Sequence, residues 1–379
     1  MKKFAIVQNK ISFGGRLDVI IAIAKYFNNK GMKPDILSFE ARDINKKNIK
    51  KHYDMDIDFN LKKIKRTIKL PHELDILAFN LKLRDFKNKY DFFINSNNTS
   101  FLMPNLPIMS YVHFPRKYRL RSKYKSIHDK KNNRKKWLRS KRDFLHKLLQ
   151  KFYFFNFNIQ PKNLIVCNSE FTKSKFEEMY PNYEKKVKVI YPPVKIDNKD
   201  YYSKKNSVIT LGRFSKNKGQ IEQLEIAKKS PNTKFYIVGF AKKDNNYYNK
   251  CLEYKRDNNL MNVEIIRNAS YTKKMKLLKE SKIFLNTAKN EPFGITTVEA
   301  IMTGCLPIVY NSGGQREIVS LPELRFKNKQ QAIKLINSIT DINYKKKIEY
   351  LQSHIKKFNI ESFWNEFDKV YEEFKGKYL

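Results

Sequence analysis

Phe4-Ala5-Ile6-Val7, then Ser12-Phe13-Gly14-Gly15, then Leu17 to Phe27 with apolar residues at helical spacing: the chain opens on a short buried strand, a glycine turn and a helix. That order begins a Rossmann-like unit, in which a ligand meets the backbone at the turn after the first strand. Further apolar runs follow. Asp35 to Phe39, Asp91 to Asn95, Ile108 to His113 and Leu164 to Cys167 read as strands, and Val187 to Tyr191 as one more, stopped by Pro192-Pro193. Asn168-Ser169-Glu170 caps a helix from Phe171 to about Met179. Residues 45–75 are polar and carry no clear period.

The polar stretch 195–206 reads as a linker, after which the alternation restarts. Strands are expected at Val208 to Leu211, Lys234 to Val238, Val263 to Ile266, Ile283 to Leu285 and Leu306 to Val309, with helices between them. Two successive βα series give the fold class: α/β, two Rossmann-like doubly wound domains facing across a cleft. The expected boundaries are residues 1–194, a linker at 195–206, a second domain at 207–360, and a C-terminal helix at 361–379 that packs back on the first domain. A chain of 379 residues has the length of two ordinary domains.

Charge narrows the partners. The formal net charge is +41, from 78 Lys and Arg against 37 Asp and Glu, which points to an anionic partner unless the lysine excess is compositional drift. The excess is concentrated in residues 116–151, with sixteen Lys or Arg and two acids, Asp129 and Asp143. Phe152-Tyr153-Phe154-Phe155-Asn156-Phe157 follows directly. A basic skirt beside aromatics suits an anionic membrane surface, and equally a solvated basic helix pair. No apolar run is long enough to span a bilayer, and Cys167, Cys251 and Cys305 are scattered. The expected setting is therefore cytoplasmic and peripheral to a membrane, and the sequons at Asn97 and Asn98 carry little weight.

The chemistry-bearing residues sit after strands. In Asn290-Glu291-Pro292-Phe293-Gly294-Ile295-Thr296-Thr297-Val298-Glu299-Ala300, two carboxylates lie eight residues apart. The amides at Gly294 and Ile295 would open a helix and attract an anion, and Glu299, read as about two turns into that helix, would accept bonds from sugar hydroxyls. The same spacing fits two glutamates around an ordinary turn. Leu211-Gly212-Arg213-Phe214-Ser215-Lys216-Asn217-Lys218-Gly219 follows the first strand of the second series, where Arg213 and Lys218 could meet two phosphates. Ser312-Gly313-Gly314-Gln315-Arg316-Glu317 is another strand-to-helix turn whose glycines allow close backbone approach. His113 ends a strand before Phe114-Pro115, a position open to a packed polar residue and to a catalytic one. Asp54-Met55-Asp56-Ile57-Asp58 contains a D-x-D pattern, but its polar surroundings favour a surface loop over a metal site.

Together these motifs resemble glycosyltransferase family 4, the group 1 glycosyltransferases. Glu291 and Glu299 match that family's E-x7-E motif, Arg213 and Lys218 its basic pair, and Gly14-Gly15 its N-terminal glycine loop. Asn168-Ser169-Glu170-Phe171-Thr172 and Val189-Ile190-Tyr191-Pro192-Pro193-Val194 look like the two signatures before its linker. Tyr111-Val112-His113-Phe114-Pro115 is similar to mannosyltransferases that extend lipid-linked oligosaccharides at the cytosolic face, and to their archaeal relatives. Where many members carry a small residue and then Glu after the glycine pair, this chain has Arg16-Leu17-Asp18.

The resemblance implies a GT-B fold and a retaining transferase that moves a hexose, mannose as first choice, from GDP-mannose or a UDP-sugar. The acceptor would be a saccharide, polyprenyl phosphate-linked in one version, with no metal or other cofactor. Arg213 and Lys218 would neutralise the departing diphosphate, and Glu299 would hold the ribose. Glu291, with the Phe293-Gly294-Ile295 backbone, would position the donor sugar. His113 would contact the sugar or acceptor, and Gly14 and Gly15 would let the backbone approach the phosphates. The alternatives are a basic nucleic-acid-binding protein, for which no known module is present, and an inactive nucleotide-sugar-binding module.

Overall fold

The computed structural model describes residues 2–66, 72–97, 106–115, 118, 163–181, 183, 187–195 and 204–379. The basic segment 116–151 (but for Tyr118), the aromatics at 152–157, Asn98 and most of the expected linker lie outside those residues. The chain divides into two compact units, one of residues 1–193 with 361–379, the other of residues 194–360.

The first unit is built on a seven-stranded sheet. Its strands are β1 (Phe4–Val7), β3 (Asp35–Ser38), β5 (Asn60–Lys63), β6 (Phe92–Asn95), β7 (Ile108–Val112), β8 (Asn163–Cys167) and β9 (Lys188–Val189). The order is β5-β3-β1-β6-β7-β8-β9, and every pairing is parallel. A small separate ribbon pairs β2 (Lys10–Ile11) with β4 (Glu40–Ala41). β1, β6, β7 and β8 are buried along their whole length, as strands covered by helices on both faces must be. The polar stretch that carried no clear period holds a helix, Lys46–Tyr53, the edge strand β5 and the start of the helix His72–Leu83.

The C-terminal helix Ile360–Tyr378 packs on this unit through aromatic rings. Phe367 meets Tyr26 at 4.9 Å between ring centroids, and Tyr371 meets Phe27 at 5.0 Å. Trp364 Nε1 donates to the Ala22 carbonyl at 2.9 Å, and Lys30 pairs with Asp368 at 2.6 Å. Removing a buried ring such as Phe367 costs on the order of 3–5 kcal/mol.

The second unit carries a six-stranded parallel sheet of β10 (Lys205–Leu211), β11 (Lys234–Gly239), β12 (Val263–Arg267), β13 (Ser281–Asn286), β14 (Leu306–Tyr310) and β15 (Arg325–Phe326). Its order is β12-β11-β10-β13-β14-β15. Alternate residues feed two cores. Val208, Ile283 and Leu285 join Leu224 and Phe235 on one face, while Ile209 and Phe284 join Leu278, Ala300 and Cys305 on the other. The helices Tyr271–Glu280 and Ile295–Met302 therefore share that second face. In both sheets the chain reverses its direction of travel once, beside the first strand: between β1 and β6, and between β10 and β13. Ligands of open α/β sheets bind outside the carboxyl ends of the strands at such a point.

Candidate functional site

The loops leaving β10, β13 and β14 converge at the switch point of the second sheet. After β10 the chain makes a turn at Lys216–Lys218 and passes through Gly219 at φ 70° into the helix Gln220–Lys228. A side chain at Gly219 would put its Cβ 2.5 Å from Thr287 Oγ1, so only glycine closes this turn. Thr287, just past β13, donates to the Lys218 carbonyl at 3.1 Å, and Gln223 Nε2 donates to the same carbonyl at 3.2 Å. The backbone beneath Lys218 is thus clamped from two sides.

Lys218 Nζ lies 2.7 Å from Glu291 Oε2, with both side chains about a quarter exposed (24% and 21%). The first glutamate of the spaced pair and one member of the basic pair are therefore direct partners. Arg213 is exposed, and Gln220 Nε2 donates to its carbonyl at 3.0 Å. Its guanidinium has no ion pair among the described residues. Gly313 and Gly314 press against the Glu291 segment. Gly314 N–H donates to the Glu291 carbonyl at 2.8 Å, and a Cβ at Gly313 or Gly314 would come within 2.4 or 2.3 Å of the Glu291 or Pro292 carbonyl oxygen. The third glycine turn is thus the wall against which Glu291 and Phe293 are set.

Phe293 is buried and packs edge-on to Phe358 at 5.1 Å. Gly294, at φ 118°, caps the helix Ile295–Met302, whose first amides have no acceptor within the helix. Thr297 Oγ1 donates to Gln315 Oε1 at 2.7 Å and ties that helix start to the glycine turn. Glu299 is the fifth helical residue, one turn in rather than two, because the helix begins only at Ile295. Its Oε1 lies 2.9 Å from Lys274 Nζ, a residue that sequence reasoning did not single out.

In the first unit a different group gathers at the strand ends. His113 is buried, with Nε2 2.8 Å from Ser96 Oγ. Burial, reinforced by the Arg16 charge, holds its pKa well below the ordinary value, so the ring is neutral at pH 7. Asn97 Oδ1 accepts from the Asn9 amide at 2.8 Å, Asn95 Oδ1 accepts from the Asn97 amide at 2.8 Å, and Asn95 Nδ2 donates to Ser110 Oγ at 3.2 Å. Asn97, read earlier as a sequon, is a buried strut. Gly14, at φ 130°, caps the helix Gly15–Asn29, and Asp18 accepts from the Tyr53 hydroxyl at 2.7 Å.

The aspartate run is held by lysines. Asp54 ends the helix Lys46–Tyr53 in the left-handed region, Lys50 pairs with Asp56 at 2.9 Å, and Lys33 and Lys46 pair with Asp58. Those two ammonium groups lower the Asp58 pKa, the Lys46 bond first. Among the described residues no group of three or more His, Cys, Asp or Glu side chains could hold a metal ion.

Residues 194–358 match the family described as "Glycosyl transferases group 1". The whole chain superposes on WaaG, a glycosyltransferase involved in lipopolysaccharide biosynthesis (TM-score 0.72, 13% identity, covering 97% of this chain and 99% of that one). It does so equally on Anabaena HepE in complex with UDP-glucose (TM-score 0.70, 16% identity, 98% and 100%). The fold is GT-B, and the chain resembles the group 1 glycosyltransferases, the family match lying within its second unit. Among curated proteins it resembles the GDP-Man:Man(3)GlcNAc(2)-PP-Dol alpha-1,2-mannosyltransferase. The match to the Eremothecium gossypii protein is 25% identical over 55% of this chain and 38% of the relative. That to the Xenopus laevis protein is 24% identical over 61% and 53%. The aligned stretches therefore span about half or less of those relatives' own lengths.

Proposed function

We propose that the protein is a retaining hexosyltransferase that takes its sugar from a nucleoside diphosphate donor, GDP-mannose or a UDP-sugar, and needs no metal. The observation that carries the proposal is the Lys218–Glu291 ion pair, which ties together the loops after β10 and β13 at the switch point, with Arg213 on the first of those loops and Glu299 one turn into the helix that follows the second. In this reading Arg213 and Lys218 stabilise the negative charge that develops on the departing diphosphate, and preorganised cations are worth most there. Glu291, set by the Gly313-Gly314 wall, and the Phe293-Gly294-Ile295 backbone position the donor sugar, and Glu299 accepts bonds from the ribose hydroxyls. The names of the curated relatives support mannose and a dolichol diphosphate-linked acceptor, and the UDP-glucose bound to HepE supports a uridine donor. In the first unit His113 is assigned a contact to sugar or acceptor, and Gly14 and Gly15 a close approach of backbone to phosphate.

A thermal-shift screen tests the donor assignment. UDP, GDP, their common sugar conjugates and a control of ATP are added in turn; a ligand held by the folded state alone stabilises it by RT ln(1 + [L]/Kd). Stabilisation by one nucleoside diphosphate series names the base, and no shift with any of them would sink the reading. The basic segment 116–151 gives the proposal its membrane component, an anionic surface carrying the lipid-linked acceptor. Among the described residues no helix is long and apolar enough to cross a membrane.

A further inference from the structure

Glu299 has a partner that the assigned roles do not use. Lys274 lies on the helix Tyr271–Glu280, which shares one face of the second sheet with the helix of Glu299. Ser270 caps that helix by accepting from the Lys273 amide at 3.1 Å, and Leu278 is buried in the core below, so the register that presents Lys274 is fixed at both ends. Lys274 Nζ is 2.9 Å from Glu299 Oε1 and 5.1 Å from the centroid of the Tyr271 ring. The two charged side chains are 24% and 22% exposed. Another ion pair involving this helix, Lys276 with Glu280, spans 4.0 Å, with the lysine 75% exposed. The Lys274 pair is shorter and better shielded, and it joins two helices rather than bracing one.

A carboxylate has two oxygens and about four acceptor positions. With Oε1 committed to an ammonium, the carboxylate plane is fixed and Oε2 is left without a hydrogen-bond partner among the described residues. We propose that Lys274 is a positioning residue for Glu299. It holds one carboxylate oxygen so that the other meets the ribose hydroxyls of a bound nucleoside diphosphate. The inference rests on the assignment of Glu299 to the ribose. It gives Lys274 no contact with the reacting atoms, so its loss should appear in nucleotide affinity and donor KM, with kcat nearly unchanged.

The test uses the full chain with Lys274→Met, which keeps the length and apolar stem, and Lys274→Arg, which keeps the charge. Calorimetric titration with UDP and GDP is paired with their 2′,3′-dideoxy counterparts, which lack the hydroxyls. Lys274→Met should weaken the better ribonucleotide about tenfold, the scale of a hydrogen bond to a charged group. The dideoxy compound should lose less than about twofold, and Lys274→Arg should recover most of the affinity. Circular dichroism checks that each variant is folded. An equal loss for ribo- and dideoxynucleotide, or no loss for either, overturns the role of Lys274 while leaving the donor reading in place. A wild-type protein that binds neither UDP nor GDP overturns the donor reading and this inference with it.

Discussion

The two sheets end in polar loops of opposite character. At the switch point of the second sheet the side chains are charged and about a quarter exposed, and Lys218 pairs with Glu291 across two loops. At the strand ends of the first sheet they are neutral and buried, a lattice of Asn95, Ser96, Asn97, Ser110 and His113. Lys218 can exchange Glu291 for a ligand's negative charge at small cost, because the pair is partly exposed and bridges two loops. A buried neutral lattice cannot exchange partners without leaving a polar atom unsatisfied. The first arrangement suits an anion that arrives and departs. The second suits a fixed support.

The largest test of this contrast removes the cations. Arg213→Ala or Lys218→Ala should lower turnover by about 100-fold or more with the fold intact, comparable to deleting one donor of an oxyanion hole. Wild-type steady-state rates in either purified variant would break the phosphate assignment. Next comes Glu291→Gln, which frees Lys218. Transfer should fall roughly tenfold, while UDP or GDP binding tightens about two- to fivefold, the worth of a partly exposed pair. Weaker nucleotide binding in calorimetry would mean that Glu291 serves the nucleotide directly and does not compete with it.

For His113 the readout is stability. Its folded pKa lies below the ordinary 6.5, so as pH falls the unfolded chain takes up the proton first. The stability contribution is fully present above about pH 6.5 and declines below it, by at most about 1.4 kcal/mol per pH unit. His354, also lowered by burial, acts in the same sense, so the comparison must be with a His113→Asn variant. Melting temperatures at pH 7.5 and 5.5 should fall further apart in the wild type than in that variant; equal differences would show the ring titrating normally. The smallest effect is a null one. Joint replacement of Asp54, Asp56 and Asp58 by Asn, or addition of EDTA, should change the rate by less than about twofold, since lysines already occupy Asp56 and Asp58. Loss of activity in EDTA, restored by Mn²⁺, would reverse that expectation.

Most strands were legible because a parallel sheet covered on both faces writes itself as unbroken apolar runs, as Phe4 to Val7 and Ile283 to Leu285 do. β5 was not: Asn60-Leu61-Lys62-Lys63 is a largely exposed edge strand with only one apolar residue. The glutamates and the basic pair stood out by spacing. Their pairing did not, because Lys218 and Glu291 are 73 residues apart and only the order of β10 beside β13 brings them together. Lys274 was invisible for another reason. It is one of four lysines in Tyr271–Glu280, and nothing local distinguishes the one that faces a neighbouring helix.

The path of the chain has a consequence for biosynthesis. The second unit is continuous, whereas the first is completed only by the helix Ile360–Tyr378. On a ribosome adding about 5–20 residues per second, the second unit is whole while the first still waits for its last helix. Until Phe367, Tyr371 and Phe374 emerge, the rings of Phe27 and Phe92 lack the aromatic surface that meets them in the finished fold. The unit that begins synthesis first is thus the last to close, and the nascent chain carries an uncovered aromatic face through most of its manufacture, the kind of surface that chaperones bind.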